Sequence, residues 1–169
     1  MSQSTDGGMT VSLTVNGQVV DTEIETDETL LQTLRDRCGY TAPRGTCQIG
    51  VCGTCTVLVD GRTTSSCIML AAQARGREIT TPEGLQGLDG QLSEVQEAFV
   101  RRGAYQCSFC IPAMALSVHA ALADDTIEHT VEGIREYLAG NLCRCGTYPE
   151  ILEAVSDVLT QNLQRKDPA

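Results

Sequence analysis

The chain has 169 residues, which is enough for one ordinary domain or for two small domains with modest cores. Only 4% of the residues are aromatic and tryptophan is absent, so two small aliphatic cores fit the composition better than one large core. The formal net charge of −10 argues against sequence-independent binding to nucleic acid or to anionic membranes, because both need basic patches. We therefore expect protein partners, with no nucleic acid and no membrane partner.

The first eight residues are polar and contain neither the basic segment nor the apolar segment of a secretory signal. Residues 1–8 are predicted to be a disordered lead-in. No stretch of the sequence approaches the roughly 20 apolar residues that span a bilayer. These features predict a cytoplasmic protein. In that reducing compartment, nine cysteines indicate metal or redox chemistry better than they indicate disulfides.

The first half of the chain carries two β-hairpin patterns. Apolar and polar residues alternate over 9–24 around Asn16-Gly17, a pair typical of a type I′ turn. The segment 56–66 repeats the pattern around Asp60-Gly61. Between the hairpins, four residues have helical spacing: Leu30, Leu31, Leu34 and Cys38. Residues 9–82 are therefore predicted to form a small sheet with one helix packed across it.

The second half of the chain has a helical pattern throughout. Residues 83–90 are rich in glycine and other turn formers, which predicts a linker. Beyond the linker, apolar residues recur at helical spacing in four segments, which are 92–99, 111–122, 127–138 and 151–159. Four amphipathic helices with short loops predict a four-helix bundle over 91–163, followed by a C-terminal tail over 164–169. The predicted fold class is α+β, with the sheet domain first.

Eight of the nine cysteines divide equally between the two halves. The first set is Cys47, Cys52, Cys55 and Cys67. Its C-x4-C-x2-C run with a distant fourth cysteine is the plant-type ferredoxin spacing for a [2Fe–2S] cluster. One loop can wrap one iron and half of the other, whereas the last ligand must approach from the opposite side. Gly45, Gly50 and Gly53 let the backbone turn tightly and bring N–H groups close to the sulfur atoms.

The second set of cysteines comes from two separate segments: Cys107, Cys110, Cys143 and Cys145. The first pair opens the second predicted helix, and the other pair lies between the third and fourth helices. In an antiparallel bundle both segments fall at the same end, so four thiolates can converge on one metal centre. A C-x-C pair is too tight for relaxed chelation of a single metal, but it can bind adjacent positions on a cluster. Cys38 is left over and is predicted to be a small core hydrophobe.

Other interpretations of the cysteines remain open at this stage. Two structural zinc sites would also use four cysteines each, although the x4 spacing and the glycine-rich loop fit zinc poorly. The segment Cys52-Gly-Thr-Cys55 matches a thioredoxin-like motif, but no βαβ pattern surrounds it. A Rieske centre is disfavoured because the cysteine loops contain no histidine.

Three segments in this order, 47–67, 105–112 and 140–148, carry a family resemblance. The chain resembles the small iron–sulfur subunit of the xanthine dehydrogenase/aldehyde oxidoreductase family of molybdenum hydroxylases, from about residue 9 to residue 159. The resemblance implies a β-grasp ferredoxin-like domain that carries one [2Fe–2S] cluster and a helical domain that carries the other. By motif match, it also places Gln106 against a molybdopterin through a hydrogen bond. Cys145 would be both an iron ligand and a pterin contact.

The resemblance also implies an electron-transfer subunit that turns over no substrate by itself. Electrons would pass from a molybdenum cofactor on a large subunit, through the two clusters, toward FAD on a medium subunit or another acceptor. The expected assembly is a heterotrimer or a dimer of heterotrimers. A free-standing ferredoxin-like electron carrier is the alternative, although such a carrier needs only the first cluster.

Overall fold

A computed structural model describes residues 8–87 and 89–166, so the predicted lead-in lies outside the described residues except for Gly8. Within them the chain is of the α+β class. The strands are β1 Met9–Val15, β2 Gln18–Ile24, β3 Thr56–Val59, β4 Arg62–Ser65 and β5 Glu78–Thr80. The α-helices are α1 Leu30–Gln32, α2 Glu94–Arg101, α3 Ile111–Ala123, α4 Val131–Tyr137 and α5 Tyr148–Lys166. None of these helices has both the length and the apolar character needed to cross a bilayer.

Both predicted hairpins are confirmed. Strands β1 and β2 pair antiparallel along their whole length, and β3 and β4 do the same. Asn16 and Gly17 have φ angles of 52° and 75°, and Asp60 and Gly61 have φ angles of 50° and 78°. Positive φ at both central residues is the type I′ requirement, which asparagine, aspartate and glycine meet at low cost.

Strand β5 joins the two hairpins into one sheet, and the sequence does not predict it. It pairs parallel with β1 and antiparallel with β3, which gives the strand order β2-β1-β5-β3-β4. The strand has only three residues, of which Ile79 alone is fully buried. Such a segment is too short to show a period of two, so its pairing is decided by its neighbours in the sheet.

The predicted helix on the first hairpin is present, with an irregular second half. Helix α1 begins with a capping box between Thr29 and Gln32. It continues as a π-helical turn over Thr33–Arg37, after which the N–H of Cys38 donates to the carbonyl of Thr33. Cys38 is half-buried instead of lying within the core as predicted, because the extra residue of the π turn shifts the helical register.

Two hydrophobic cores meet at strand β3. Val57 and Val59 point into the core between the sheet and α1, whereas Leu58 contributes to the core among the later helices. Alternation along a strand buried on both faces explains this division. Helix α3 lies at the centre of the second core, with eight buried residues, and it contacts β3 as well as α2 and α4. The sheet and the helices are therefore packed directly against each other.

The helical half differs from the sequence prediction in its boundaries. The segment predicted as a linker includes a 3-10 turn over Pro82–Leu85, and Leu85 is buried in the second core. Helix α4 begins at Val131, where the Thr130 hydroxyl accepts from the N–H of Gly133. Helix α5 continues to Lys166, three residues beyond the predicted end of the bundle, and residues 167–169 lie outside the described part of the chain.

Candidate metal centres

The first cysteine region consists of the loop 44–55 together with Cys67. Cys47 is half-buried in this loop, whereas Cys52, Cys55 and Cys67 are buried. Hydrogen bonds from the backbone N–H groups of Ile49, Cys52 and Val51 lower the pKa of the Cys47 thiol to about 6. The amide nitrogen of Cys52 lies 3.4 Å from the Cys47 sulfur. Several N–H groups directed at one sulfur stabilise a thiolate, which is the form that binds metals.

Two of the three glycines predicted to shape this loop have positive φ angles. Gly50 has φ 76° and Gly53 has φ 71°, whereas Gly45 does not adopt this conformation. A Cβ atom on Gly53 would lie 2.6 Å from the carbonyl oxygen of Gly140, closer than the 3.0 Å below which Cβ atoms essentially never approach another heavy atom. Gly53 therefore allows a second segment of the chain to approach the loop, in addition to the turn itself.

The Thr54 hydroxyl organises the interior of the loop. It donates to the carbonyl oxygen of Arg44 over 2.8 Å and lies 3.3 Å from the sulfur of Cys52. The Thr46 hydroxyl lies 2.9 Å from the Thr54 hydroxyl. Thr54 is 6% exposed, and the sequence does not predict this role because nothing in the pattern distinguishes a buried threonine from an exposed one.

Cys55 and Cys67 are brought together by the strands that follow the loop. The Ser66 hydroxyl donates to the carbonyl oxygen of Cys55 over 2.6 Å, which places the next residue beside Cys55. Both cysteines and Leu31 form a small buried cluster. Burial raises the pKa of Cys55 to about 11, and the neighbouring Cys67 thiol adds to this effect. The four thiols of this region thus adjoin as two pairs, Cys47 with Cys52 and Cys55 with Cys67.

The second cysteine region consists of the turn 105–110 and the loop 141–147. Cys107 is exposed, Cys110 is buried at the N-terminus of α3, and Cys143 and Cys145 are half-buried. The thiol of Cys107 adjoins that of Cys145, and the pKa of Cys107 is lowered by the N–H of Phe109 and by the Cys145 thiol. Burial and the adjoining Cys143 thiol raise the pKa of Cys110 to about 12. This region also presents its thiols as two pairs.

Helix α5 fixes the loop that carries Cys143. The N–H of Cys143 donates to the Tyr148 hydroxyl over 2.8 Å, and that hydroxyl donates to the carbonyl of Asn141 over 3.3 Å. Burial opposes ionisation of Cys143, but hydrogen bonds from Thr147 outweigh it and lower the pKa to about 7. The start of α5 thus orients one thiol of the second region.

Gln106 and Cys145 lie side by side at the surface of the second region. The Gln106 side-chain amide donates to the carbonyl oxygen of Cys145 over 3.2 Å. Gln106 is exposed and Cys145 is half-buried. The two residues that the resemblance places against a pterin therefore occupy one accessible site.

The two cysteine regions contact each other directly. The N–H of Leu142 donates to the carbonyl oxygen of Cys52 over 2.9 Å. The side-chain amide of Asn141, which is 8% exposed, donates to the carbonyl oxygen of Gly53 over 3.1 Å and accepts from the Ser117 hydroxyl over 3.2 Å. The sequence does not predict Asn141 as a bridging residue, because its partners are 24 and 88 positions away.

The donor chemistry of both regions fits a two-iron group. In residues 8–87 and 89–166, no three cysteine, histidine or carboxylate side chains surround a single point closely enough to hold one ion. The thiols lie instead as two pairs in each region. A [2Fe–2S] cluster takes four cysteine thiolates, two on each iron, so this arrangement matches its ligand requirement. The N–H groups directed at Cys47 and Cys107 would stabilise the negative charge of such a cluster.

Comparison with known proteins finds matches to two iron–sulfur domain families and to relatives that align with most of this chain. Residues 13–88 match the 2Fe-2S iron-sulfur cluster binding domain, and residues 81–156 match a [2Fe-2S] binding domain. The chain is 43% identical over 147 residues to the nicotine 6-hydroxylase small subunit of Paenarthrobacter nicotinovorans, covering 87% of this chain and 87% of that protein. It is 41% identical over 150 residues to an Escherichia coli xanthine dehydrogenase iron-sulfur-binding subunit, covering 88% and 93%.

Solved structures share the fold over nearly the whole chain. Quinoline 2-oxidoreductase from Pseudomonas putida 86 has a chain that matches with a TM-score of 0.85 and 36% identity, covering 97% of this chain and 100% of that one. The aldehyde oxidoreductase from Desulfovibrio desulfuricans matches with a TM-score of 0.84 and 31% identity. That match covers 94% of this chain but 18% of the longer chain, so nearly the whole of the present fold corresponds there to one part of a larger polypeptide.

Proposed function

Because the chain belongs to the family of iron–sulfur subunits of the molybdenum hydroxylases, we propose that each of its two cysteine regions binds one [2Fe–2S] cluster. The ligands of the first cluster would be Cys47, Cys52, Cys55 and Cys67. The ligands of the second would be Cys107, Cys110, Cys143 and Cys145. The observation that supports both assignments most strongly is the approach of the thiols in pairs within each region. A cluster held this way accepts and passes on one electron at a time.

The chain is the electron-transfer subunit of a multi-subunit oxidoreductase and turns over no substrate by itself. Clusters bound in the two cysteine regions would connect a molybdopterin cofactor on a large subunit with FAD on a partner subunit, or with another acceptor. Residues of this chain would set the charge and the water access of the bound clusters. Backbone N–H groups hold negative charge at the sulfurs, and burial of Cys52, Cys55, Cys67 and Cys110 keeps water from them.

Gln106 and Cys145 are proposed to contact the molybdopterin. Their hydrogen bond fixes the Gln106 side chain beside the backbone of a cluster ligand, at an exposed site. Large apolar side chains are exposed in and beside the same region, at Tyr105, Phe109, Leu142 and Tyr148. Such a group of exposed apolar residues is typical of a surface that a partner protein covers. This surface is therefore proposed to bind the large subunit.

A second exposed apolar group surrounds the first cysteine region and is proposed to face the medium, FAD-binding subunit. Ile49, Val51 and Ile68 are each more than half exposed, and each lies within four residues of a cysteine of the first set. The two apolar groups belong to different cysteine regions, which suits a chain that receives electrons at one surface and delivers them at another. A heterotrimer, or a dimer of heterotrimers, is the proposed assembly.

The domain organisation is proposed from the same features. A β-grasp ferredoxin-like domain over 9–82 would carry the first cluster, and a four-helix bundle formed by α2–α5, extended from the predicted 91–163 to residue 166, would carry the second. Residues 83–90 would connect the two domains. None of the nine cysteines, all of which lie in the described residues, forms a disulfide. Cysteines without disulfides are typical of a reducing compartment, so the cytoplasm is the proposed location.

Metal analysis of the complex that co-purifies with this chain from its native host tests the proposed function. We expect about four iron atoms per copy of the chain, two for each cluster, together with about one molybdenum atom. Iron without molybdenum would indicate a free-standing electron carrier instead. Zinc in place of iron would contradict the cluster assignment, and it would be visible at once because zinc–thiolate sites are colourless.

A further inference from the structure

Arg44 connects the two cysteine regions through its side chain. Its Nη1 atom donates to the carbonyl oxygens of Ser108 and Phe109, over 2.7 Å in each case. The guanidinium carbon also lies 5.0 Å from the centre of the Phe109 ring, within the range of a cation–π interaction. A residue of the first region thus holds the two residues that lie between Cys107 and Cys110.

The backbone of Arg44 is fixed as firmly as its side chain. Its N–H donates to the carbonyl oxygen of Thr54 over 3.0 Å, and its carbonyl oxygen accepts from the Thr54 hydroxyl over 2.8 Å. Thr54 lies between Cys52 and Cys55. Arg44 is therefore attached at one end between two proposed ligands of the first cluster and at the other end between two proposed ligands of the second.

The turn that Arg44 holds has features that call for an external anchor. Residues 105–109 are exposed, so packing against the core restrains them little. Ser108 has a φ angle of 62°, in the left-handed region that a residue with a Cβ adopts only at some cost. The carbonyl oxygens of Ser108 and Phe109 converge on a single donor atom. The two N–H groups of Nη1 can each serve one carbonyl while the planar guanidinium stays over the Phe109 ring, and the compact ammonium of lysine on its flexible stem does not reproduce this combination.

We propose that Arg44 is a positioning residue for electron transfer between the two clusters. By holding the turn 107–110 against the first cysteine loop, it fixes the separation and relative orientation of the two iron sites. This inference rests on the proposed function, in which each cysteine region binds one [2Fe–2S] cluster. Since electron tunnelling weakens steeply with distance, a looser turn would slow transfer between the clusters without removing any ligand.

The test uses the purified complex with three single variants of this chain: R44K, R44M and R35K. R44K keeps the positive charge but loses the planar guanidinium over the Phe109 ring, whereas R44M loses the charge and every donor as well. Arg35 is the matched control, because its Nη1 donates to the carbonyls of Thr41 and Pro43 at 2.7 Å each, but entirely within the first half of the chain. Iron content and the two EPR signals of the reduced complex are recorded first, which establishes that both clusters are present.

Two further measurements then report on the position of the turn. Each reduced cluster carries an unpaired spin, so the two signals broaden or split each other in a way that depends on their separation. We expect both Arg44 variants to change this mutual broadening while R35K leaves it as in the wild type. We also expect the amide hydrogens of residues 108–110 to exchange about tenfold faster in R44K and R44M, the change that corresponds to losing one hydrogen bond to a charged group.

The midpoint potentials of the two clusters distinguish an effect of Arg44 on position from an effect of its charge. R44K should leave the potentials of both clusters close to those of the wild type, whereas R44M should lower them because a nearby positive charge is lost. Wild-type broadening and wild-type exchange in both Arg44 variants, with iron and both signals intact, would overturn the proposal. An equal change of broadening in R35K would overturn it as well. Absence of the two EPR signals from the wild-type complex would instead contradict the proposed function.

Discussion

The two cysteine regions reach similar ligand arrangements by different routes. In the first region, three cysteines lie within nine residues, and local features of that loop orient them: N–H groups directed at Cys47, the positive φ of Gly50 and the Thr54 hydroxyl. In the second region, Cys107 and Cys145 are 38 positions apart along the sequence. Their approach depends on the shared hydrophobic core to which α3 and α5 both contribute, and on single side chains such as that of Tyr148.

This difference shows that a local loop and a tertiary assembly respond differently to mutation. A loop that is organised by its own backbone keeps most of its stability when a distant contact is removed. A site that is assembled from two segments must first offset the entropy of bringing them together, so it depends on every contact that holds them. The second region is also hydrogen-bonded to the first through Leu142, Asn141 and Arg44. We therefore expect changes between the two regions to affect the second cluster first.

The largest effect is expected from removing one ligand of the second region. Cys107→Ser should lower the iron content from about four toward about two atoms per chain, because a hydroxyl, a much weaker iron ligand, replaces one of the four thiolates of the second cluster. The EPR signal of the first cluster should persist, and electrons from molybdenum should no longer reach the acceptor. Iron analysis and EPR of the purified complex test this prediction.

Cys38→Ser is the matched control for that variant. Cys38 is the ninth cysteine and lies at the end of the π turn, outside both cysteine regions. All of the iron should remain in this variant. If Cys107→Ser removed both cluster signals from a complex that remained folded, the idea of two independent sites would be wrong.

The next largest effect is expected at the closest approach of the two regions. A methyl group on Gly53 would meet the carbonyl of Gly140 at 2.6 Å and the side-chain amide of Asn141 at 2.7 Å. Gly53→Ala should therefore destabilise the chain by about 3 kcal/mol, from overpacking together with strain at positive φ. The urea concentration at which the visible absorbance of the clusters is half lost should fall accordingly.

Gly61→Ala separates these two causes. Gly61 has a φ angle of 78°, but a Cβ atom there would meet nothing within 4 Å. This variant carries only the backbone strain, so a loss of about 1 kcal/mol is expected. Equal shifts of the urea midpoint in the two variants would mean that the approach of Gly140 to Gly53 contributes nothing to stability.

A smaller loss is expected when the buried amide between the two regions is removed. Asn141→Ala leaves the carbonyl of Gly53 and the hydroxyl of Ser117 without their partner, which should cost about 1–3 kcal/mol. Combining it with Ser117→Ala in a double-mutant cycle measures the Asn141–Ser117 bond itself. We expect the double variant to be less destabilised than the sum of the single variants. Strict additivity would show that the two side chains act separately.

Features that depend on neighbouring residues in the sequence could be predicted. Both I′ turns follow from Asn16-Gly17 and Asp60-Gly61, and the four helical segments after residue 90 follow from their apolar period. The division of the cysteines into two sets also follows from spacing alone. The pairing of Cys107 with Cys145 and of Cys110 with Cys143 goes beyond the prediction, which expected only that four thiols converge.

Features that depend on distant partners could not be predicted. Strand β5 has only three residues and is defined by its pairing with β1 and β3, so the sequence shows no alternation of apolar and polar residues that would predict it. The π turn before Cys38 shifts one residue out of the core, and an apolar pattern cannot distinguish it from a regular helix. Arg44 and Asn141 are single polar residues whose partners lie in the other half of the chain. Their importance is a property of the folded structure.

The smallest effect is expected at the contact between α2 and α5, away from both cysteine regions. Arg102 forms two hydrogen bonds with Asp157, at 2.7 and 2.6 Å, and the Arg102 side chain is 43% exposed. Because surface ion pairs contribute little and are screened by salt, Asp157→Asn should lower the urea midpoint only slightly, and the difference should disappear at high salt. The iron content should not change, since no cysteine depends on this pair.

Glu153→Gln is the control for Asp157→Asn, because Glu153 lies 3.7 Å from Arg102, is 63% exposed and should contribute less. Loss of iron from Asp157→Asn would contradict the prediction that the iron content does not change. It would mean that the second region depends on the alignment of α2 with α5 as well as on Arg44 and Asn141. The second cluster would then report on the packing of the whole helical half, while the first would still depend mainly on its own loop.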